Sequence, residues 1–85
     1  MATQLLAVGT TAANSSDLVV TDPVTVSLKG LVDAKAEVLI SLKDDAGAYH
    51  VVGTLSPPRP ALCITAPGTY RFSRVAGSAC GVFSA

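Results

Sequence analysis

Short stretches that alternate between apolar and polar residues, separated by Gly, Pro and Asp, restrict the possible fold more than any other feature. In "VTVSL" (24–28), Val24, Val26 and Leu28 share one parity, and this period of two is typical of a half-buried strand. Helical periodicity extends to one turn at most, over 31–37. About seven short strands at roughly 8–12-residue spacing predict an all-β fold, a small antiparallel β-sandwich that is immunoglobulin-like or jelly-roll-like.

The centre of the chain predicts a β-hairpin. Strand patterns at 36–43 and 48–55 flank "DDAG" (44–47), in which Gly47 tolerates the positive φ that a tight turn requires. In the first of these strands the inward parity is apolar, and it consists of Val38, Ile40 and Leu42. Leu39 interrupts the polar parity, which indicates partial cover on that face.

Proline dominates the segment that follows the hairpin. Three prolines in "SPPRP" (56–60) remove backbone donors and fix φ, so the segment predicts an extended connection from one sheet to the other. A strand resumes at 61–65, with Leu62 and Ile64 on one parity. Arg59, between two prolines, is a candidate for contact with a partner because ordering it costs little entropy. An ordinary solvated arginine is the alternative.

The last third of the chain predicts a turn and two strands. Pro67-Gly68 precedes "TYRFSRV" (69–75), whose Tyr70 and Phe72 are expected to face inward, with the tyrosine hydroxyl bonded to nearby backbone. Arg74 continues the inward parity and is expected to reach solvent at the end of the strand. "CGVFS" (80–84) is expected to return antiparallel to 69–75.

Composition favours association with other molecules. A single domain of 85 residues buries only about 60–65% of its unfolded surface. The chain is 49% hydrophobic and 14% charged, with a formal net charge of zero, so little self-repulsion keeps copies apart and a homo-oligomer is expected. Dispersed basic residues argue against nucleic-acid binding, and no apolar run approaches the ~18 residues of a membrane-spanning helix.

Candidate reactive residues are few. Cys63 and Cys80 either pair or remain as reduced thiols, and their spacing with a single histidine does not predict a metal site. His50 is interpreted as a solvent-facing strand residue, and Asp44 and Asp45 as turn residues. We therefore predict a protein that is not an enzyme, with no catalytic, cofactor-binding or metal-binding residues and no small-molecule substrate.

The N-terminal region is divided from the rest by a polar stretch of small residues. We assign 1–16 to an N-terminal strand or arm with its linker, and 17–85 to the β-sandwich domain. The apolar run is too short for a signal peptide and no positive charge precedes it, so it is interpreted as part of the mature protein. Its residues Leu5, Leu6 and Val8 are candidate interaction residues that could add as a strand to a neighbouring subunit. The alternative is that 3–8 pairs within its own sandwich.

Three segments carry a resemblance to a known family. "LLAVGTTAANSSDLVVTDPVTVSL" (5–28), with "APGTYRFSRV" (66–75) and "GVF" (81–83), resembles small structural proteins of tailed bacteriophages that decorate or cement the head. The resemblance implies a capsid-bound, oligomeric β-domain, with the major capsid protein as its partner. It implies a location on the virion surface after synthesis in the host cytoplasm, and it brings no catalytic residues.

An immunoglobulin-like module that binds carbohydrate or a host surface is the alternative function. Sugar binding normally uses exposed aromatic rings, and the chain has no Trp. Tyr70, Phe72 and Phe83 are expected in the core, which leaves Tyr49 as the one candidate for such a ring. The aromatic content therefore favours the virion structural protein.

Overall fold

The computed structural model describes residues 3–30, 36–75 and 79–85, and it confirms an all-β antiparallel sandwich. These residues form nine strands, two of which are very short. The strands are β1 (Thr3–Gly9), β2 (Ala13–Asn14), β3 (Leu18–Val20), β4 (Val24–Lys29), β5 (Val38–Lys43), β6 (Tyr49–Leu55), β7 (Ala61–Ile64), β8 (Gly68–Arg74) and β9 (Cys80–Ser84). Within the described ranges no helix is long and apolar enough to cross a membrane.

Two antiparallel sheets divide the strands between them. The first sheet has the order β1-β9-β4-β7. The second has the order β2-β8-β5-β6, with β3 also paired to β8 beside β2. The predicted hairpin is confirmed as β5 and β6, and Gly47 has the expected positive φ of 88°. The helical turn suggested over 31–37 falls mostly outside the described residues.

The position of β9 corrects one prediction. The sequence pattern predicts the strand at 80–84 beside 69–75, but the strand lies in the other sheet, between β1 and β4. In immunoglobulin domains the last strand shares a sheet with its predecessor. Here β2 and β3 occupy that edge of β8, where Leu18 lies opposite Tyr70 and Asn14 opposite Ser73. With this edge already paired, β9 completes its hydrogen bonding in the first sheet.

The core lies between the two sheets and follows the alternation of the strands. Its largest fully buried side chains include Phe72, Ile40, Leu55 and Val26. Tyr70 is buried as predicted, and its hydroxyl donates a hydrogen bond of 2.9 Å to the carbonyl of Ala66. Each of these strands therefore contributes one apolar face to a single core.

Phe83 does not belong to this core, contrary to the sequence-based expectation. On β9 the residues that face inward are Cys80, Val82 and Ser84, all of which are buried. Phe83 has the opposite parity and is half-buried on the outer face of the first sheet. Period-two geometry allows only one of the two parities to reach the core.

The proline-rich segment crosses between the sheets as predicted, but it is not extended. Ser56 and Arg59 exchange two backbone hydrogen bonds, of 3.1 Å and 2.9 Å, and close a tight turn. Pro57 and Pro58 occupy its two central positions, where no backbone N–H is required for these bonds. The prolines therefore stiffen a turn between β6 and β7.

Candidate functional site

The two sides of the sandwich differ in how their sheet edges are covered. We call the side formed by β1, β2, β3 and β9 the closed side, because hydrogen bonds from Arg74 of the second sheet join the two sheets there. We call the side formed by the outer edges of β6 and β7 the open side. Strand β7 is the last strand of the first sheet and β6 is the last strand of the second, so their outer edges have no strand partner among the described residues.

A buried arginine holds the closed side together. The guanidinium of Arg74 donates hydrogen bonds to the carbonyls of Thr11 (2.6 Å), Ala7 (2.6 Å) and Cys80 (2.9 Å). Arg74 is only 7% exposed, so the prediction that it reaches solvent is wrong. The Arg74 side chain lies on the inward face of β8, and this places it against the N-terminal segment. The carbonyl groups of that segment take the place of water around the guanidinium charge.

Two glycines allow the N-terminal segment to approach this closely. A Cβ on Gly81 would lie 2.6 Å from the Leu6 carbonyl oxygen and 2.8 Å from the Val8 nitrogen. A Cβ on Gly9 would lie 2.9 Å from the guanidinium of Arg74. All three distances are shorter than real Cβ contacts. Strand β1 therefore packs directly against the backbone of Gly81, and the Arg74 guanidinium packs against that of Gly9.

The three N-terminal candidate residues have different environments. Leu6 is buried in the core, and Leu5 is half-buried against it. Val8 is 52% exposed and is available to another molecule. Strand β1 itself pairs with β9 of the same chain, which is the second of the two alternatives that the sequence left open.

An apolar groove runs along the open side. It forms a partly open cavity of about 190 Å³ between β6 and β7, and its lining includes Val52, Gly53, Leu62, Cys63 and Tyr70. Val51 and Val52 are 60% and 56% exposed. Val52 has no residue opposite it on β5, because Ile40 pairs with Gly53 and Ser41 with Val51. This bulge leaves two successive valines facing solvent.

Of the remaining candidate residues, Arg59 and Cys63 lie near the open side, and Cys80 does not. Arg59 is exposed, in the turn between β6 and β7. Cys63 is exposed and Cys80 is buried, and no disulfide joins them. Cys63 belongs to the groove, whereas Cys80 faces the core beside the closed side. Of the two alternatives for the cysteines, the structure thus shows the one without a disulfide.

A polar cluster covers the outer face of the second sheet. The Tyr49 hydroxyl donates a hydrogen bond of 2.7 Å to Asp17, and this bond is the main cause that raises the pKa of Tyr49. The guanidinium of Arg71 stacks 3.7 Å from the centre of the Tyr49 ring. Lys43 lies 3.7 Å from the Asp17 carboxylate. One face of the tyrosine ring is thus occupied by the chain's own arginine.

The hairpin turn accounts for the remaining titratable residues that the sequence analysis considered. Asp44 accepts hydrogen bonds from the amides of Ala46 (2.9 Å) and Ala48 (2.8 Å). His50 is exposed, as predicted, and its Nε2 lies 2.7 Å from Asp44 Oδ2. This contact is the largest cause of the lowered pKa of Asp44. The described residues contain no group of three His, Cys, Asp or Glu side chains that could hold a metal ion.

Sequence reasoning missed most of these features. The consecutive valines at 51–52 are the one available signal, because they interrupt the alternation of β6 and point to a bulge. The Tyr49–Arg71 stack and the three acceptors of Arg74 depend on pairing between distant strands. No local pattern could have predicted them.

Comparison with known proteins identifies a similar fold but no family. No protein-family model matches the chain, and no curated protein sequence matches it. Among solved structures, the crystal structure of the SPBc2 prophage-derived protein YomS is similar, with a TM-score of 0.70 and 12% sequence identity. The similarity covers 99% of this chain and 88% of that chain. The chain therefore shares its fold with a prophage-derived protein.

Proposed function

We propose that this chain is a non-enzymatic virion structural protein that binds the surface of a phage capsid as a decoration or cement protein. The fold shared with prophage-derived YomS over nearly the whole chain supports a phage origin. The resemblance of 5–28 and 66–75 to head structural proteins favours the capsid over other parts of the virion.

The observation that carries the proposal is a rigid, exposed edge strand. Strand β1 is the last strand of the first sheet, and its outer backbone groups have no strand partner among the described residues. Val8 on this strand is 52% exposed. An edge of this kind can accept a strand from another protein through backbone hydrogen bonds, with an apolar side chain for specificity.

Rigidity of β1 increases the affinity of such a contact. Arg74 bonds to the carbonyl of Ala7, and Gly81 lets β1 lie directly on β9. An ordered edge loses little conformational entropy on binding. The capsid contact thus uses β1 as a fixed part of the sandwich. Leu6 serves the core in this arrangement, and Val8 faces the partner.

A carbohydrate-binding module has less support from the structure. The Tyr49 ring would have to stack on a sugar, but Arg71 covers one of its faces at 3.7 Å. Its hydroxyl is bonded to Asp17. The phenol is therefore already part of an internal polar cluster.

The direct test is the protein content of purified virions from the phage or prophage that encodes the chain. We expect the chain in stoichiometric amounts on heads, by mass spectrometry and by cryo-electron microscopy of the capsid surface. A chain that is abundant in the lysate but missing from purified particles would contradict the proposal. A gene neighbourhood without capsid, protease or portal genes would weaken it.

Substitution of Val8 tests the binding edge. We expect Val8→Asp to reduce the amount of protein that co-sediments with phage heads lacking it. The reason is that the contact would bury a carboxylate without a partner. The matched control is Val19→Asp, since Val19 is 68% exposed and lies on the other sheet. Deleting 2–9 is a poorer test because it removes Leu6 from the core. Equal occupancy by both variants would exclude β1 as the contact.

A further inference from the structure

We infer that the open side is a self-association surface, on which two copies of the chain pack around a twofold axis. The exposed Val52 of β6, which lines the groove, lies at the centre of this interface. Arg59 of each copy faces Asp45 of the other. This inference concerns the protein without its capsid, so it stands or falls independently of the function proposed above.

The four sheet edges differ in how well they are protected from pairing. Strand β7 has four residues and lies between Pro60 and Pro67. Strands β2 and β3 have two and three residues, and a break that contains Asp17 separates them. Strand β1 has two register irregularities against β9, but with seven residues it remains open enough to be the edge assigned above to the capsid. Short strands, prolines, charges and bulges are the usual means of blocking edges.

Strand β6 lacks most of these protections. It has seven residues, and its sequence "YHVVGTL" contains neither proline nor Asp, Glu, Lys or Arg. Its one irregularity, the bulge at Val52, exposes apolar side chains where a protective bulge would present polar ones. Val52 also lines the cavity of about 190 Å³. A second copy packed here removes the apolar surface of both molecules from water.

Charge at the two ends of β6 specifies which molecule fits. Asp44 and Asp45 precede β6 in the hairpin turn, and Arg59 follows it in the next turn. A seven-residue strand extends about 23 Å, so acid and base stand at opposite ends of the open side. A twofold axis reverses the direction of the second β6 and brings each basic end to an acidic end.

The open side is therefore complementary to itself. Asp44 is already bonded to His50 and to turn amides, which leaves the exposed Asp45 as the acidic group that faces Arg59 of the second copy. A formal net charge of zero adds no long-range repulsion between copies. These features favour a second copy over a strongly charged partner.

The first test is sedimentation velocity of the purified full chain over a concentration series. We expect a reversible dimer, and we expect Val52→Lys to weaken it at least about 30-fold because a charge enters the apolar centre. The matched control is Val19→Lys, because Val19 is at least as exposed but lies on the closed side. A wild-type chain that stays monomeric, or equal weakening by both variants, would overturn the inference.

The second test uses charge reversal and does not depend on the valines. Arg59→Asp and Asp45→Arg each place like charges at both ends of the homodimer, so we expect each to weaken self-association about 10-fold. When the two variants are mixed, the introduced aspartate of one copy faces the introduced arginine of the other. The opposite end of that heterodimer keeps the native pair of Asp45 with Arg59, so its affinity should be restored.

If a mixture of the two variants associates no more tightly than either variant alone, the twofold arrangement is contradicted. Both variants alter exposed residues, and unchanged thermal unfolding would show that their folds are intact.

Discussion

The closed side and the open side of this sandwich treat the edges of the sheets in opposite ways. On the closed side the guanidinium of Arg74 binds carbonyls from three separate segments, and glycines let backbone pack on backbone. On the open side β6 and β7 stand apart over an apolar groove, with Val51 and Val52 exposed. A small domain can thus concentrate internal cohesion on one side and leave an apolar groove open on the other.

The largest expected effect comes from removing the arginine of the closed side. Arg74→Met keeps the length of the side chain but leaves the carbonyls of Ala7, Thr11 and Cys80 without their donor. We expect a loss of about 3–5 kcal/mol in the free energy of unfolding, measured by urea denaturation.

Arg71→Met is the matched control for that variant, because Arg71 lies on the same strand but faces outward. It loses a stack on the Tyr49 ring, worth about 0.5–1 kcal/mol. Equal losses from the two variants would mean that Arg74 does not hold the closed side.

A smaller effect is expected from adding one methyl group beneath β1. In Gly81→Ala the new Cβ would meet the Leu6 carbonyl and the Val8 nitrogen, which are backbone atoms and cannot rotate away. We expect destabilisation of about 1–3 kcal/mol and faster hydrogen exchange of the β1 amides. Exchange that accelerates uniformly over all strands would show that β1 does not open separately from the rest.

The same change on the open side should have the opposite sign. A Cβ on Gly53 would lie 3.6 Å from Ile40 and 4.0 Å from Leu62, which are ordinary contact distances, and it would partly fill the groove. We expect Gly53→Ala to stabilise the fold by about 0.4–1 kcal/mol, read from the urea midpoint. Destabilisation would indicate that the groove is already closed in solution.

The smallest effect concerns the hairpin turn at the end of the open side. The pKa of Asp44 is lowered mainly by its hydrogen bond with His50, and next by the Ala48 amide. The contribution of Asp44 to stability is therefore present above its unfolded pKa and is lost as the pH falls through its lower folded pKa.

We expect His50→Ala to raise the pKa of Asp44 toward its ordinary value, as followed by carboxyl NMR titration. His50→Gln is the matched variant, because it keeps a hydrogen-bond donor and should preserve most of the lowering. The charge of His50 is the weakest of the causes, so a large difference between Gln and His would contradict this explanation.

The sequence correctly predicted those features that depend on residues of a single strand or turn. The parity of Tyr70 and Phe72, the turn at Gly47 and the tyrosine hydroxyl bond to Ala66 each involve residues close together in the chain. Crossing of the sheets at 56–60 was also predicted, although its backbone forms a closed turn.

The candidate site was predicted less completely. Of its proposed residues, Val8 and Arg59 are exposed, Leu5 is half-buried, and Leu6 belongs to the core. The pattern of β1 could not separate these roles, because two register irregularities interrupt its alternation. The groove between β6 and β7 was not predicted, because it exists only between strands of different sheets.

Local alternation and turn chemistry were enough to establish an all-β chain and, for most strands, the side that faces the core. Packing of distant segments was needed to place β9 in the first sheet, to bury Arg74 under the N-terminal segment and to turn Phe83 outward. The physical reason is that a strand's period of two specifies its faces but not its neighbours. Neighbours are selected when backbone hydrogen bonds and apolar faces are satisfied together over the whole molecule.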